Sequence, residues 1–179
     1  MCEHDEQKGA ALWFTGLPCS GKSAIADRLA AILKDKGYRV ERLDGDIVRQ
    51  DLTRDLGFSK EDRDENIRRV TFVTKLLARN GVFVLTSFIS PYREMRDRAR
   101  SQVENFMEIF IKTSLETCIQ RDIKGMYKKA MAGQIKEFTG VSDPYEEPLK
   151  PELVVETDNE TLEASAEKVL RRMAELGYL

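Results

Sequence analysis

Apolar and polar positions along the chain fall into two alternating rhythms. Short apolar runs of strand length recur at Ala10 to Thr15 (AALWFT), Tyr38 to Leu43, Val82 to Ser87, Phe106 to Lys112 and Leu153 to Glu156. Between them lie longer stretches of helical period. The first follows GLPCSGKS at 16 to 23 and runs to about Lys36, with Gly37 as its C-terminal cap. The second runs from Ser59, an N-cap with Asp62 three residues on, to Asn80, where Gly81 stops it. Ser90 and Pro91 read as the N-cap and first helical position of a third, lasting to about Val103. Ser114 to Asp122 is a short helix, and Thr161 to Leu176 is a terminal amphipathic one. Strands alternating with helices predict an α/β fold, a three-layer α/β/α arrangement in which helices cover both faces of a parallel five-stranded sheet.

One stretch breaks the alternation. Lys124 to Pro151 is rich in glycine and proline, carries the basic cluster Lys124, Lys128, Lys129 and Lys136, and reads as a functional lid lying outside the core. At 179 residues and 41% hydrophobic content, the chain is long enough for one core, and a single domain over 1–179 is expected.

Charge and composition exclude several classes. The formal net charge of −2 shows no global basic excess of the kind nucleic-acid binding requires, so an anion must be gripped locally. No apolar run has the length of a membrane span, and MCEHDEQKG has no signal-peptide apolar region, so a cytoplasmic location without membrane association is the default expectation. Cys2, Cys19 and Cys118 show no CxxC spacing and are joined by one histidine, so neither a disulfide nor a structural metal is expected.

The chemistry starts at GLPCSGKS. Gly16, Gly21, Lys22 and Ser23 complete GxxxxGK[ST] between an apolar strand and a helix. In that context, backbone amides of Gly16, Leu17, Pro18, Cys19, Ser20 and Gly21 line a phosphate cradle, Lys22 reaches the β and γ phosphates, and the Ser23 hydroxyl ligates Mg²⁺. The third strand ends in Leu85, Thr86 and Ser87 with no carboxylate for the metal, so Asp44 and Asp46 of LDGD, at the carboxyl edge of the second strand, are the candidates. The same two residues would serve equally as a turn or helix cap. Arg49, Arg63, Arg68 and Arg69 follow, and guanidinium groups suit bidentate contact with phosphate or sulfate. Arg68 and Arg69 are adjacent, so at least one is a surface or ion-paired residue. The thiol of Cys19, beside a helix N-terminus, is expected to be either acidified or a small apolar filler.

Together, GLPCSGKS, LDGDIVR, LGFSKEDRDENIRR, FISPYREMRDRAR, RDIKGMYKKA and EFTGVSDPYEEPLKPEL resemble the adenylyl-sulfate (APS) kinase family in order and spacing, from about Leu12 to Asp158. The resemblance implies a P-loop enzyme that transfers the ATP γ-phosphate to the 3′-hydroxyl of APS, giving PAPS and ADP in sulfate assimilation. It implies Mg²⁺ as cofactor, a homodimer, and functional coupling to ATP sulfurylase. By position, it places Asp44 near the acceptor hydroxyl and magnesium, with Asp46 and Lys124 beside the acceptor and Arg121 at ATP. Arg49, Arg63 and Asn66 contact the APS phosphosulfate or ribose, and Phe58 and Phe138 sandwich the APS adenine. Ile89 and Ser90 match the segment in which the serine is given as a phosphoserine intermediate, although direct in-line transfer requires no covalent step. Residues 124 to 140 correspond to the lid.

Three positions depart from the family pattern: Cys19 in the P-loop, Met131 where a lid arginine is common, and Glu137 where glycine is usual. They bear on lid geometry and affinity, since Glu137 adds negative charge near an anionic substrate and lacks glycine's conformational freedom. Two other readings remain at this point. One is a kinase of the same scaffold acting on another acceptor; the other is a nucleotide-binding regulatory domain, against which Lys22, Ser23, Asp44 and Asp46 argue.

Overall fold

The computed structural model describes residues 7–179, so Cys2 and the single histidine, His4, lie outside the described residues. In chain order the elements are β1 (Ala10–Thr15), α1 (Lys22–Asp35), β2 (Val40–Asp44), α2 (Gly45–Val48), α3 (Lys60–Ala78), β3 (Phe83–Ser87), α4 (Arg93–Gln102), β4 (Phe106–Lys112), α5 (Leu115–Gln120), α6 (Met126–Met131), β5 (Leu153–Glu156) and α7 (Leu162–Glu175). The five strands form one parallel sheet in the order β2-β3-β1-β4-β5.

β1 lies at the middle of the sheet and is buried on both faces, and its period of two divides its side chains between two cores. Ala10, Leu12 and Phe14 pack with Ile25, Leu29 and Leu33 of α1 and with Val169 and Met173 of α7. Ala11 and Trp13 face the other way, toward Ile67 and Val70 of α3 and Met95 and Ala99 of α4. The three layers expected from the alternation are therefore present. The chain crosses from β1 to β2 on one side of it and from β3 past β1 to β4 on the other, so the loops at the carboxyl end of β1 open a crevice where such sheets take ligands.

Helix punctuation follows the sequence at most ends. Gly37, at φ 85°, lets its own N–H reach Lys34 O and that of Tyr38 reach Leu33 O, closing α1 with paired C-terminal bonds. Ser59 caps α3 by accepting from Asp62 N at 3.1 Å. The expected cap at Ser90 is corrected. α4 begins at Arg93 after Tyr92, and Ser90 sits two residues outside it with φ 40°, because its hydroxyl is engaged by the core.

The lid segment also differs from expectation. It contains the helix α6 and is not wholly outside the core, for Tyr127 is 0% exposed and Thr139 is buried. Tyr127 turns toward the loop after β1, where it donates to Pro18 O, and Thr139 turns toward α3, where it accepts from Arg63.

Candidate functional site

The loop from Gly16 to Ser23 owes its shape to three backbone positions. Gly16 has φ 153° and its α-carbon lies so close to β4 that an added Cβ would stand 2.5 Å from Ile111 O. Gly21, at φ 101°, turns the chain into α1, and Cys19, at φ 61°, holds a conformation that costs a non-glycine residue energy. From below, the Thr113 and Thr157 hydroxyls lie 3.2 and 3.0 Å from Ser20 O and 2.6 Å from each other, so one donates to the carbonyl and the other completes the cluster.

The N-terminus of α1 differs from those of the other long helices. α3 and α7 have side-chain caps and acidic residues in their first turns, whereas α1, with Gly21 at its N-cap, has neither. Its first-turn amides and the positive end of its dipole are left to an external anion. Lys22 adds a cation there. Its ammonium is buried, donates to Leu17 O at 2.6 Å and Gly16 O at 3.0 Å, and is lowered by burial to about 8.

Ser23 Oγ donates to Asp44 Oδ2 at 2.5 Å, while Asp44 Oδ1 accepts from Asp46 N at 3.0 Å and so caps α2. Asp44 thus performs the capping duty and still faces the P-loop. Asp46 points elsewhere, pairing with Lys124 of the lid at 2.6 Å, both side chains exposed. Arg121 is held by Thr157, through Oγ1 at 3.0 Å and the carbonyl at 2.8 Å.

On the opposite rim, Arg49 lies 4.4 Å over the exposed ring of Phe58. Phe138 meets Tyr127 edge-on, ring centres 5.0 Å apart. Arg63 joins the two segments. Its guanidinium is buried and donates to Phe58 O at 2.7 Å, to Thr139 Oγ1 at 2.5 Å, to Asp143 Oδ2 at 3.2 Å and to Glu137 O. Protein groups therefore take most of its five N–H donors. Asn66, one turn along α3, is buried with no hydrogen-bond partner for Oδ1 among the described residues. Arg68 and Arg69 both ion-pair with Glu65, and Arg69 also with Asp55, so both are surface ion-pair residues.

Ser90 is locked in the core. Trp13 Nε1 donates to Ser90 Oγ at 3.1 Å, the residue is 2% exposed, and its carbonyl accepts from the fully buried Arg96 at 2.6 Å. Ile89 is half-buried beside it, its carbonyl accepting from Thr15 Oγ1 at 2.7 Å. Of the two expectations for Cys19, the acidified thiol is the one corrected. Burial and the nearby Asp122 carboxylate push Cys19 upward, and they outweigh Lys22 and Lys124. Of the other departures, Glu137 has φ 54°, a backbone conformation that explains why glycine suits this position, and Met131 is exposed at the end of α6.

Sequence reasoning did not single out Tyr127, Asp143, Thr113 or Thr157, which hold the loops in place. Tyr127 and Asp143 lie within RDIKGMYKKA and SDPYEE, but nothing local marks them as contacts to distant carbonyls or guanidinium groups.

Comparison with known proteins gives the family. The profile of the family described as Adenylylsulphate kinase matches residues 8–156. A probable adenylyl-sulfate kinase of Pseudomonas aeruginosa is 60% identical over 93% of this chain and 78% of its own length. An adenylyl-sulfate kinase of Halothermothrix orenii is 57% identical over 97% of this chain and 94% of its own. Among solved structures, the Mycobacterium tuberculosis APS kinase in complex with AMPPNP and APS superposes with a TM-score of 0.90 at 41% identity, covering 93% of this chain and 98% of that one. With a family match over most of its length and relatives this similar, the chain belongs to the adenylyl-sulfate kinase family.

Proposed function

We propose that the chain transfers the γ-phosphoryl group of ATP to the 3′-hydroxyl of APS, releasing PAPS and ADP. The observation that carries this reading is the convergence, at one edge of the sheet, of an uncapped helix end bearing Lys22 with a rim that presents Phe58 and Phe138. The first takes polyphosphate. The second supplies aromatic faces for the base of a second nucleotide.

In this reading the backbone from Gly16 to Ser23 cradles the ATP phosphates, Lys22 follows the charge of the transferring group, and Arg121 attends the nucleotide. The acceptor 3′-oxygen attacks the γ-phosphorus as the bond to the ADP oxygen breaks, and the Asp44 carboxylate takes the hydroxyl proton. Asn66 Oδ1, buried and unpartnered, suits a hydroxyl or amino donor of the acceptor. Arg49 and Lys124 supply positive charge toward the phosphosulfate, with Asp46, Ile89 and Ser90 shaping the wall. Arg63 contributes chiefly by holding Phe58 and the 137–143 turn in place. No covalent carrier is required, in keeping with the burial of Ser90.

Magnesium fits the donor set. Ser23 Oγ and Asp44 Oδ2 are hard oxygens 2.5 Å apart beside the phosphate cradle, and Mg²⁺ takes one or two such protein ligands together with phosphate oxygens and water. When bound, it would neutralise charge on the phosphates. A homodimer belongs to the same reading through the family resemblance, and a solution molar mass twice that of the chain would bear it out.

The test is ADP release with APS, set against nucleoside and sugar acceptors. Phe58→Ala and Phe138→Ala should each raise the KM for APS about tenfold, from a stacking contribution of roughly 1–3 kcal/mol, with a smaller effect on ATP. Equal turnover of a sugar, or APS saturation unchanged in both variants, would overturn the assignment.

A further inference from the structure

Three consecutive P-loop residues meet the lid. At Leu17 the lid turn comes so close that a Cβ on Gly140 would stand 2.9 Å from Leu17 Cδ2. At Pro18 the carbonyl accepts from Tyr127 Oη at 3.0 Å. At Cys19 the sulfur lies 4.0 Å from Asp122 Oδ1, and the other oxygen of Asp122 accepts from Tyr127 N at 2.6 Å. Tyr127 occupies the middle of this seam, fully buried, with its ring edge against Phe138.

We infer that Tyr127 is a positioning residue that couples the two substrate sites, so that nucleotide in the P-loop and acceptor against Phe138 each raise the affinity for the other. The inference rests on the proposed reading, in which the P-loop holds ATP and Phe138 faces the acceptor adenine. The coupling runs through one rigid side chain. The buried hydroxyl has Pro18 O as its oxygen acceptor and the weaker Cys118 thiol beside it, and it is held to Pro18 because water is not available to replace that acceptor. Burial also pushes the Tyr127 hydroxyl far above its ordinary range, so it remains a donor throughout the working pH range. A phosphate-ordered loop fixes Pro18 O, Pro18 O fixes the Tyr127 ring, and the ring fixes the angle at which Phe138 stands. Such coupling is reciprocal.

Tyr127→Phe separates the two ends, since it keeps the ring against Phe138 and removes the hydroxyl that binds Pro18 and touches Cys118. Calorimetric titration of APS, alone and with saturating Mg²⁺ and AMPPNP, gives the coupling factor as the ratio of the two dissociation constants. In the wild type AMPPNP should tighten APS about fivefold or more. In Tyr127→Phe the affinity for APS alone should stay within about twofold, while the coupling factor falls about two- to tenfold, the range expected for one neutral hydrogen bond. Phe138→Leu tests the other end. It should also lower the coupling factor, and the double variant should lower it no further than the more severe single one.

Wild-type coupling retained in Tyr127→Phe, or absent from the wild type, would overturn the inference. If Tyr127→Phe does not fold by circular dichroism, unchanged coupling in Phe138→Leu overturns it instead. Failure of the APS reading looks different: the wild type would release no ADP with APS. Failure of the inference leaves that turnover intact.

Discussion

Ser23 Oγ donates to Asp44 Oδ2 across 2.5 Å, joining the last residue of the phosphate-loop motif to the end of the strand at one sheet edge. The two oxygens come from residues 21 positions apart, brought together because β2 and β1 run parallel with β3 between them. Arg42 steadies the carboxylate from beneath, 3.7 Å away, while binding Ser87 Oγ at 3.0 Å.

That pairing predicts a shared defect. Asp44→Asn keeps the shape and an acceptor for Asp46 N but loses the charge, and Ser23→Ala loses the hydroxyl. Each should lower kcat about a hundredfold or more, as expected for loss of charge stabilisation in the transition state. Each should also reduce the gain in ATP affinity on adding Mg²⁺, read by calorimetry without acceptor. Full magnesium dependence of ATP binding in both variants would contradict the assignment.

Lys22 predicts a pH effect on stability. Burial lowers its ammonium from 10.5 to about 8, so between those values the unfolded chain binds more protons there than the folded one. The wild type therefore gains stability as pH rises from about 8 to about 10.5, and carries the cost of a buried charge below that window. Without nucleotide, the stability of the wild type relative to Lys22→Met should improve across the window by up to about 3 kcal/mol. Urea denaturation at pH 7 and pH 10.5 measures it. The same variant should be nearly inactive while folded, since nothing else replaces the cation at the phosphates.

Ser90→Ala should cost roughly 1–3 kcal/mol, because Trp13 Nε1 would be left buried without its acceptor. The cause is the core contact, since the serine does not cap α4. Phosphoryl transfer should persist, and intact mass after incubation with ATP should show no added phosphate in the wild type. A chemically competent phosphoserine would contradict this.

Arg63→Ala should destabilise the fold by about 3–5 kcal/mol, as loss of one partner of a buried ion pair does, here Asp143, with Glu137 O and Thr139 Oγ1 also losing their donor. The KM for APS should rise about tenfold or more through displacement of Phe58 and the 137–143 turn. Arg63→Lys should restore neither, since one ammonium cannot span acceptors placed for a planar fork. Denaturation curves and APS saturation curves, run side by side, decide it.

The layering, the phosphate loop and most helix ends were legible in the primary structure. A period of two in AALWFT, buried on both faces, demands helices on both sides of the sheet, and GxxxxGKS between strand and helix leaves few alternatives for an anion site. Ser59, Gly37 and Gly81 act through bonds within a few residues, so their roles are legible locally. Tertiary structure decided what depends on distant partners. Ser90 looked like a cap because serine precedes proline and a helix, but Trp13, 77 residues earlier, takes its hydroxyl. Arg63 looked like an anion ligand, yet its guanidinium is engaged by acceptors at Phe58, 137, 139 and 143. Tyr127 was hidden in a segment read as lid because its burial depends on Pro18, 109 residues before it. Propensity, periodicity and capping act over a few residues, whereas a buried polar side chain finds its partner wherever the fold brings one within about 3 Å.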